Sequence, residues 1–196
     1  MLVRGVRVWL SVRWWGRSGD SMKVVSYNSR GLGGVEKKAE VCRLVQENHP
    51  FVLCLQESKM SVVDDFFIKT LWGSVPCGYS YQSYVGASGG LVTVWDTFVV
   101  DVWYSVSFRH VLVIKGWVIP ICQEFIIVNV YDPCDTTTKQ VLWARLTDFV
   151  QNNGDASLCV CGDFNSVCAA DERRGRSIVF IKWMQIILII LSMTVC

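Results

Sequence analysis

Histidine is scarce in this sequence, with only His49 and His110 among 196 residues. His49 precedes Pro50 at an apparent helix end and His110 adjoins a β-branched run, so each reads as structural rather than catalytic. A large excess of one charge is also missing. The formal net charge of +2 comes from 19 basic and 17 acidic residues, and Arg4, Arg7, Arg13 and Arg17 all fall within the first twenty positions. Between residues 22 and 176 there are 14 basic against 16 acidic residues, a net charge of −2. No whole-domain basic field therefore draws in nucleic acid, and any contact with phosphate must be local or made through a metal ion. Paired cysteine spacing is absent as well. The nine cysteines are odd in number and mostly lie in apolar runs, as Cys42, Cys54 and Cys159 do. They read as reduced thiols of an intracellular protein filling its core. Cys159 and Cys161 form a C-x-C, but no second pair stands at zinc-ligand spacing.

The first 21 residues, MLVRGVRVWLSVRWWGRSGDS, contain no apolar stretch long enough for a secretory signal. Their Arg-rich, acid-poor character allows a transit peptide, but a regular pattern opens only at Met22. We read residues 1–21 as an extension outside the fold.

What is present is a chain that is 52% hydrophobic, enough for one sizeable core and a single domain. MKVVSYN, starting at Met22, reads as a strand, GLGG as a turn, and Val35 to Asn48 as an amphipathic helix with Val41, Cys42, Leu44 and Val45 on its apolar face. FVLCLQ, Phe51 to Gln56, is a buried strand, and the three elements make a β-α-β unit. Parallel strands in such a unit end on the same edge, which sets Asn28 and Glu57 side by side. YSYQSYV, LVTVW, VVDVWYSVSF, HVLVI and FIIVNVY then read as short strands joined in antiparallel hairpins. A second helix follows from about Thr137 to Val150, and Ser157 to Cys161 is a strand leading into Gly162-Asp163-Phe164-Asn165.

Asp163 and Asn165 alone are readable as turn formers. Four apolar strands, however, end in groups suited to metal or phosphate: Asn28, Glu57, Tyr131, and Asp163 with Asn165. Turn chemistry explains one such ending, whereas four make a constellation. Carboxylate, amide and phenol oxygens suit a hard divalent cation such as Mg²⁺, completed by water and substrate phosphate.

These residues resemble the endonuclease/exonuclease/phosphatase superfamily of Mg²⁺-dependent phosphoesterases. The motifs run in the family's order from Met22 to about Arg176: SYN, LQES, GASGGL, NVYDP and GDFN. SYNSRGLGG, LQESK, SGGLVTVWD and GDFNSV are most similar to endonuclease domains of plant LINE-type (non-LTR) retrotransposons. The resemblance implies an α/β fold, a four-layer, DNase-I-like sandwich of two mixed sheets with the site at one rim. It implies Glu57 as the ligand of Mg²⁺, or of Mn²⁺ in its place, with Asn28 helping to hold metal or phosphate. It further implies that Tyr131 contacts the scissile phosphate, that Asp163 orients or deprotonates the attacking water, and that Asn165 hydrogen-bonds the phosphate near it. The implied reaction is hydrolysis of DNA phosphodiesters. The alternatives are a phosphoinositide or small-phosphoester phosphatase of the same superfamily, or an inactive tail-anchored remnant.

Two departures stand against the family pattern. Cys134 replaces an Asn three residues after the tyrosine. The closing Ser-Asp-His motif, with the earlier Asp that orients its His, is missing, because after residue 176 the sequence runs on as an apolar tail to Cys196. The expectation is a domain over residues 22–176, incomplete at its C-terminus and impaired in activity, in the nucleus or cytoplasm. No protein partner is expected. A membrane contact is expected only through residues 177–196, whose run is long enough to span a bilayer but is interrupted by Lys182 and Gln185.

Overall fold

A computed structural model describes residues 7–13, 21–84, 89–153 and 156–164. Its elements in chain order are β1 (Arg7–Arg13), β2 (Ser21–Asn28), α1 (Val35–Asn48), β3 (Val52–Gln56), α2 (Asp65–Trp72), β4 (Cys77–Gln82), β5 (Leu91–Asp96), β6 (Val100–Phe108), β7 (Val111–Val118), β8 (Gln123–Tyr131), α3 (Thr136–Asn152) and β9 (Ser157–Asp163). They form two mixed sheets, ordered β1-β2-β3-β5-β4 and β6-β7-β8-β9.

The layering follows from strand alternation. Successive side chains of a strand point to opposite faces, so a strand covered on both sides is apolar throughout. In β3, Leu53 and Leu55 pack outward with Val41, Leu44 and Val45 of α1 and Phe67, Ile68 and Leu71 of α2. Val52 and Cys54 pack inward against Ile127, Cys159 and Cys161 of the other sheet. On the far side, Ile126, Val128, Leu158 and Val160 meet Leu142 and Leu146 of α3. The result is a helix-sheet-sheet-helix sandwich, the α/β architecture expected from the sequence.

α1 begins and ends where its periodicity does, at Val35 and Asn48. His49 closes it in the left-handed region at φ 44°, donating its N–H to the Val45 carbonyl at 2.8 Å. α2 was not anticipated. Asp64 caps it by accepting the Phe67 N–H at 2.7 Å, and Gly73 ends it at φ 94°.

Two expectations need correction. The successive strands after β4 do not all pair as hairpins: β5 belongs to the first sheet and β6 to the second. At that crossing the Asp96 carboxylate accepts the Phe98 N–H at 2.8 Å, which turns the chain from one sheet to the other. The residues ahead of Met22 do not all lie apart from the fold either. Arg7–Arg13 pairs antiparallel with β2, Arg7 opposite Tyr27 and Arg13 opposite Ser21. A free strand edge offers a row of unpaired N–H and C=O groups, and β1 covers that of β2. Among the described residues no helix is long and apolar enough to cross a membrane. The tail at 177–196 lies outside them.

Candidate active site

Register places the site. β2 and β3 run parallel with Asn28 opposite Gln56, and β8 and β9 run parallel with Tyr131 opposite Asp163. The carboxyl ends of both strand pairs therefore share one rim. Counting back in steps of two from Asn28, Tyr131 and Asp163 reaches Val24, Ile127 and Cys159, which lie in the core between the sheets. The same period aims Asn28, Tyr131 and Asp163 into the space between the sheets, at the point where the apolar packing stops.

There the Asn28 amide nitrogen donates to Glu57 Oε1 at 2.8 Å and to Asp163 Oδ2. Its Oδ1 accepts the Arg30 N–H at 3.0 Å. Both amide protons and the carbonyl oxygen are thus engaged, which fixes the amide's orientation. The Tyr131 phenol is pushed up to about 12, first by burial and then by the carboxylate of Glu57, the Cys134 thiol and the Asp163 carboxylate, with a hydrogen bond to Glu57 adding to the shift. At neutral pH it keeps its proton and acts as a donor.

Main-chain hydrogen bonds hold this rim. Ser29 N–H donates to the Gln56 carbonyl at 2.9 Å, Gly31 N–H to Glu57 at 2.7 Å and Leu32 N–H to Ser58 at 2.9 Å. Ser58 and Lys59 N–H donate in turn to Gly90 and Gly89 at 3.0 and 3.2 Å. Arg30, Glu57 and Lys59 sit in the left-handed region at φ 54°, 51° and 55°. L-residues rarely adopt that conformation, and its clustering marks a site whose surroundings over-determine the backbone. Gly162 is required for another reason. A Cβ there, at φ +151°, would lie 1.9 Å from the Val130 carbonyl oxygen. Glycine allows the close strand approach that delivers Asp163.

Sequence reasoning missed two supports. Asp132, fully buried, forms an ion pair with Lys139 Nζ at 3.0 Å, and its N–H donates to the Asp163 carbonyl at 2.8 Å. Burial raises the Asp132 carboxyl above its usual range, against the lowering by Lys139. Lys139 also donates to the Phe164 carbonyl at 3.3 Å, so α3 steadies the exit of β9. The second support lies one layer inward. Gln56 Nε2 donates to Asn129 Oδ1 at 2.7 Å and to Ser26 Oγ at 3.1 Å. Asn129 Nδ2 reaches the Leu55 and Val92 carbonyls at 3.3 and 3.2 Å and Thr93 Oγ1 at 3.2 Å. The visible sign was a polar residue at an inward position of two otherwise apolar strands.

Four of the five expected site residues, Asn28, Glu57, Tyr131 and Asp163, thus meet at one rim. Asn165 lies outside the described residues. His49 is the cap of α1. His110, at φ 70°, turns β6 into β7, and its carbonyl accepts the Tyr131 N–H at 3.0 Å. Burial, and after it Arg109, lowers its imidazole below the usual range. Among the described residues no cluster of three or more His, Cys, Asp or Glu side chains forms a self-sufficient metal cage. The two carboxylates, held by one amide, still fit a hard cation that keeps water and substrate oxygens in its remaining positions.

An α/β sandwich with oxygen-bearing side chains gathered at the carboxyl ends of its strands sets the class. The chain belongs to the endonuclease/exonuclease/phosphatase family, whose model matches residues 25–181. No curated protein matches it. Among solved structures it is similar to C. elegans TDP2, with 18% identity and TM-score 0.53 over 79% of this chain and 50% of that one. It is also similar to the human Nocturnin catalytic domain, with 15% identity and TM-score 0.56 over 84% and 68%. D. rerio TDP2 complexed with a single-strand DNA product aligns with 16% identity and TM-score 0.56 over 76% and 62%. The chain spans about half the length of the TDP2 structure from C. elegans. At these identities the likeness establishes the fold.

Proposed function

We propose that this chain is a Mg²⁺-dependent phosphodiester hydrolase acting on DNA, of the kind carried by plant LINE-type retrotransposons. The observation that carries the reading is the Asn28 amide held between the Glu57 and Asp163 carboxylates. Two carboxylates brought together at a rim, with a neutral phenol beside them, leave negative charge that a divalent cation would balance. Glu57 and Asn28 are the residues to hold it, with Mn²⁺ as a substitute. When bound, the ion polarises a phosphoryl oxygen.

The remaining roles belong to the chain itself. Asp163 accepts a hydrogen bond from water and aims it at phosphorus, with its carboxylate able to take the proton. Tyr131, protonated at neutral pH, donates to a non-bridging phosphate oxygen. Asn165, two residues beyond Asp163, supplies a further donor. DNA is favoured over a small ester by the wording of the motifs, and a protein of similar fold has been seen with a DNA product.

The test is nicking of supercoiled plasmid by the full chain. Relaxed circles should form with Mg²⁺ and not with chelator, and Glu57→Gln should lower the rate about 100-fold or more. Undiminished nicking by Glu57→Gln removes Glu57 from its role. Phosphate release from phosphoinositide vesicles without nicking moves the substrate to a lipid headgroup.

A further inference from the structure

We infer that the free edge of β6 pairs antiparallel with β6 of a second copy of this chain, joining the β6-β7-β8-β9 sheets of two molecules into one continuous sheet about a two-fold axis at Ser105. The inference stands apart from the hydrolase reading, since it concerns a strand edge and not the rim residues.

Exposure is the first argument. Among the described residues β6 pairs with β7 alone, so its other edge is open. Open edges are usually blunted by short length, charge, proline or a bulge. β6 has nine residues, and from Val102 to Phe108 it contains neither a charge nor a proline. Its bulge falls between Val102 and Tyr104, after which the register with β7 runs unbroken to Phe108. Trp103, Tyr104 and Val106 are 53%, 44% and 36% exposed, and Trp117 on the neighbouring β7 is 43% exposed. The first sheet offers a contrast, because there β1 covers the edge of β2.

Self-complementarity is the second argument, and it selects the occupant. With the axis at Ser105, that residue faces its own copy and Tyr104 faces Val106 of the second copy. Trp103 is the extra residue of the bulge, so Val102 then faces Ser107 and Asp101 faces Phe108, next to Arg109. The faces agree. Val102 packs into the core between the sheets, and Ser107 shares that side with Ser105, which stands opposite Ile114. Tyr104, Val106 and Phe108 stand opposite Lys115, Val113 and Val111, on the side that α3 covers. Asp101, opposite Trp117 two residues on from Lys115, is on that side too. Each Tyr104–Val106 contact is an aromatic–β-branched pair of the kind that stabilises sheets.

The charges fit the same axis. Asp101 and Arg109 are both exposed. Among the described residues the ion pairs are Lys37 with Glu40 and Lys139 with Asp132, so neither is committed to one. Arg109 acts on Asp135 only at a distance. Within one molecule Asp101 and Arg109 stand at opposite ends of β6, about 25 Å apart. A second copy brings them together twice, once on each side of the axis, as a two-fold contact requires.

Sedimentation velocity on the full chain across a dilution series should show a reversible monomer–dimer equilibrium. Val106→Lys should leave only monomer, and Asp101→Arg or Arg109→Asp should each weaken the dimer about tenfold or more. Combining Asp101→Arg with Arg109→Asp should restore it, which charges so far apart on one strand cannot do within a single molecule. Val141→Lys, at an exposed apolar position of α3, should change nothing. Monomer at every concentration, an association indifferent to the β6 substitutions, or a double variant no tighter than the single ones overturns the pairing. A second measurement leaves the strand nearly intact. Benzoylphenylalanine in place of Tyr104, in a mixture of isotope-labelled and unlabelled chains, should crosslink to the segment around Val106 of the other copy. A crosslink to residues 177–196 of the same chain makes the tail the occupant and overturns the second copy.

Discussion

Two amide clusters lie one layer apart in this molecule and do opposite work. In the interior, Gln56 and Asn129 bridge the sheets together with Ser26 and Thr93, all four buried and all neutral. At the rim, the Asn28 side chain makes three hydrogen bonds, and two of its partners are carboxylates. The neutral cluster balances its own polarity and asks nothing of a ligand. The charged one gathers two carboxylates around a single amide, a donor set suited to a cation. The same amide chemistry thus stands in two different surroundings, one neutral and one charged.

Substitutions can break this contrast. The largest effect should come from Asn129→Leu, which strands the Gln56 amide and the Leu55 and Val92 carbonyls in the core. Unfolding in urea should show a loss of about 3 kcal/mol, with nicking per folded molecule retained. Asn28→Ala should do the reverse. Stability should fall by about 1 kcal/mol, while nicking drops about 100-fold because the two carboxylates lose the group that spaces them. A loss of stability in Asn28→Ala as large as in Asn129→Leu would erase the distinction.

The double variant Gln56→Leu with Asn129→Leu sharpens it further. Removing both partners leaves fewer unsatisfied groups, so the double variant should be about 1 kcal/mol less damaged than Asn129→Leu alone. The smallest effect is at high pH. Tyr131 ionises near 12 in the folded chain, against an ordinary value near 10.0. A raised folded pKa contributes stability that is complete below pH 10 and lost as pH climbs through 12. Phenolate absorbance should contain one late-titrating tyrosine that disappears in Tyr131→Phe, whose stability should fall less steeply over that window.

The sequence disclosed the strand ends better than the middle of the chain. Asn28, Glu57, Tyr131 and Asp163 were legible because polar groups stand out where two-sided burial makes a strand apolar. α1 was legible because its apolar face repeats over 14 residues. α2 has only 8 residues, too few for a period to emerge. The crossing from β5 to β6 was hidden because strand pattern carries no record of which sheet a strand joins. Gln56 and Asn129 escaped notice because their partners are 73 positions apart, a pairing that only the folded register creates. Ion pairing of Asp132 with Lys139 was equally invisible, since it depends on where α3 docks.

The rim loops are held to one another by peptide groups. Ser29, Gly31, Leu32, Ser58 and Lys59 all donate main-chain N–H groups across the rim. These bonds do not depend on side-chain identity, and the Ser29 hydroxyl adds side-chain bonds to the Gln56 and Glu57 carbonyls. A lineage built on such a frame can drift in what it cleaves, or cease to cleave at all, long before it ceases to fold.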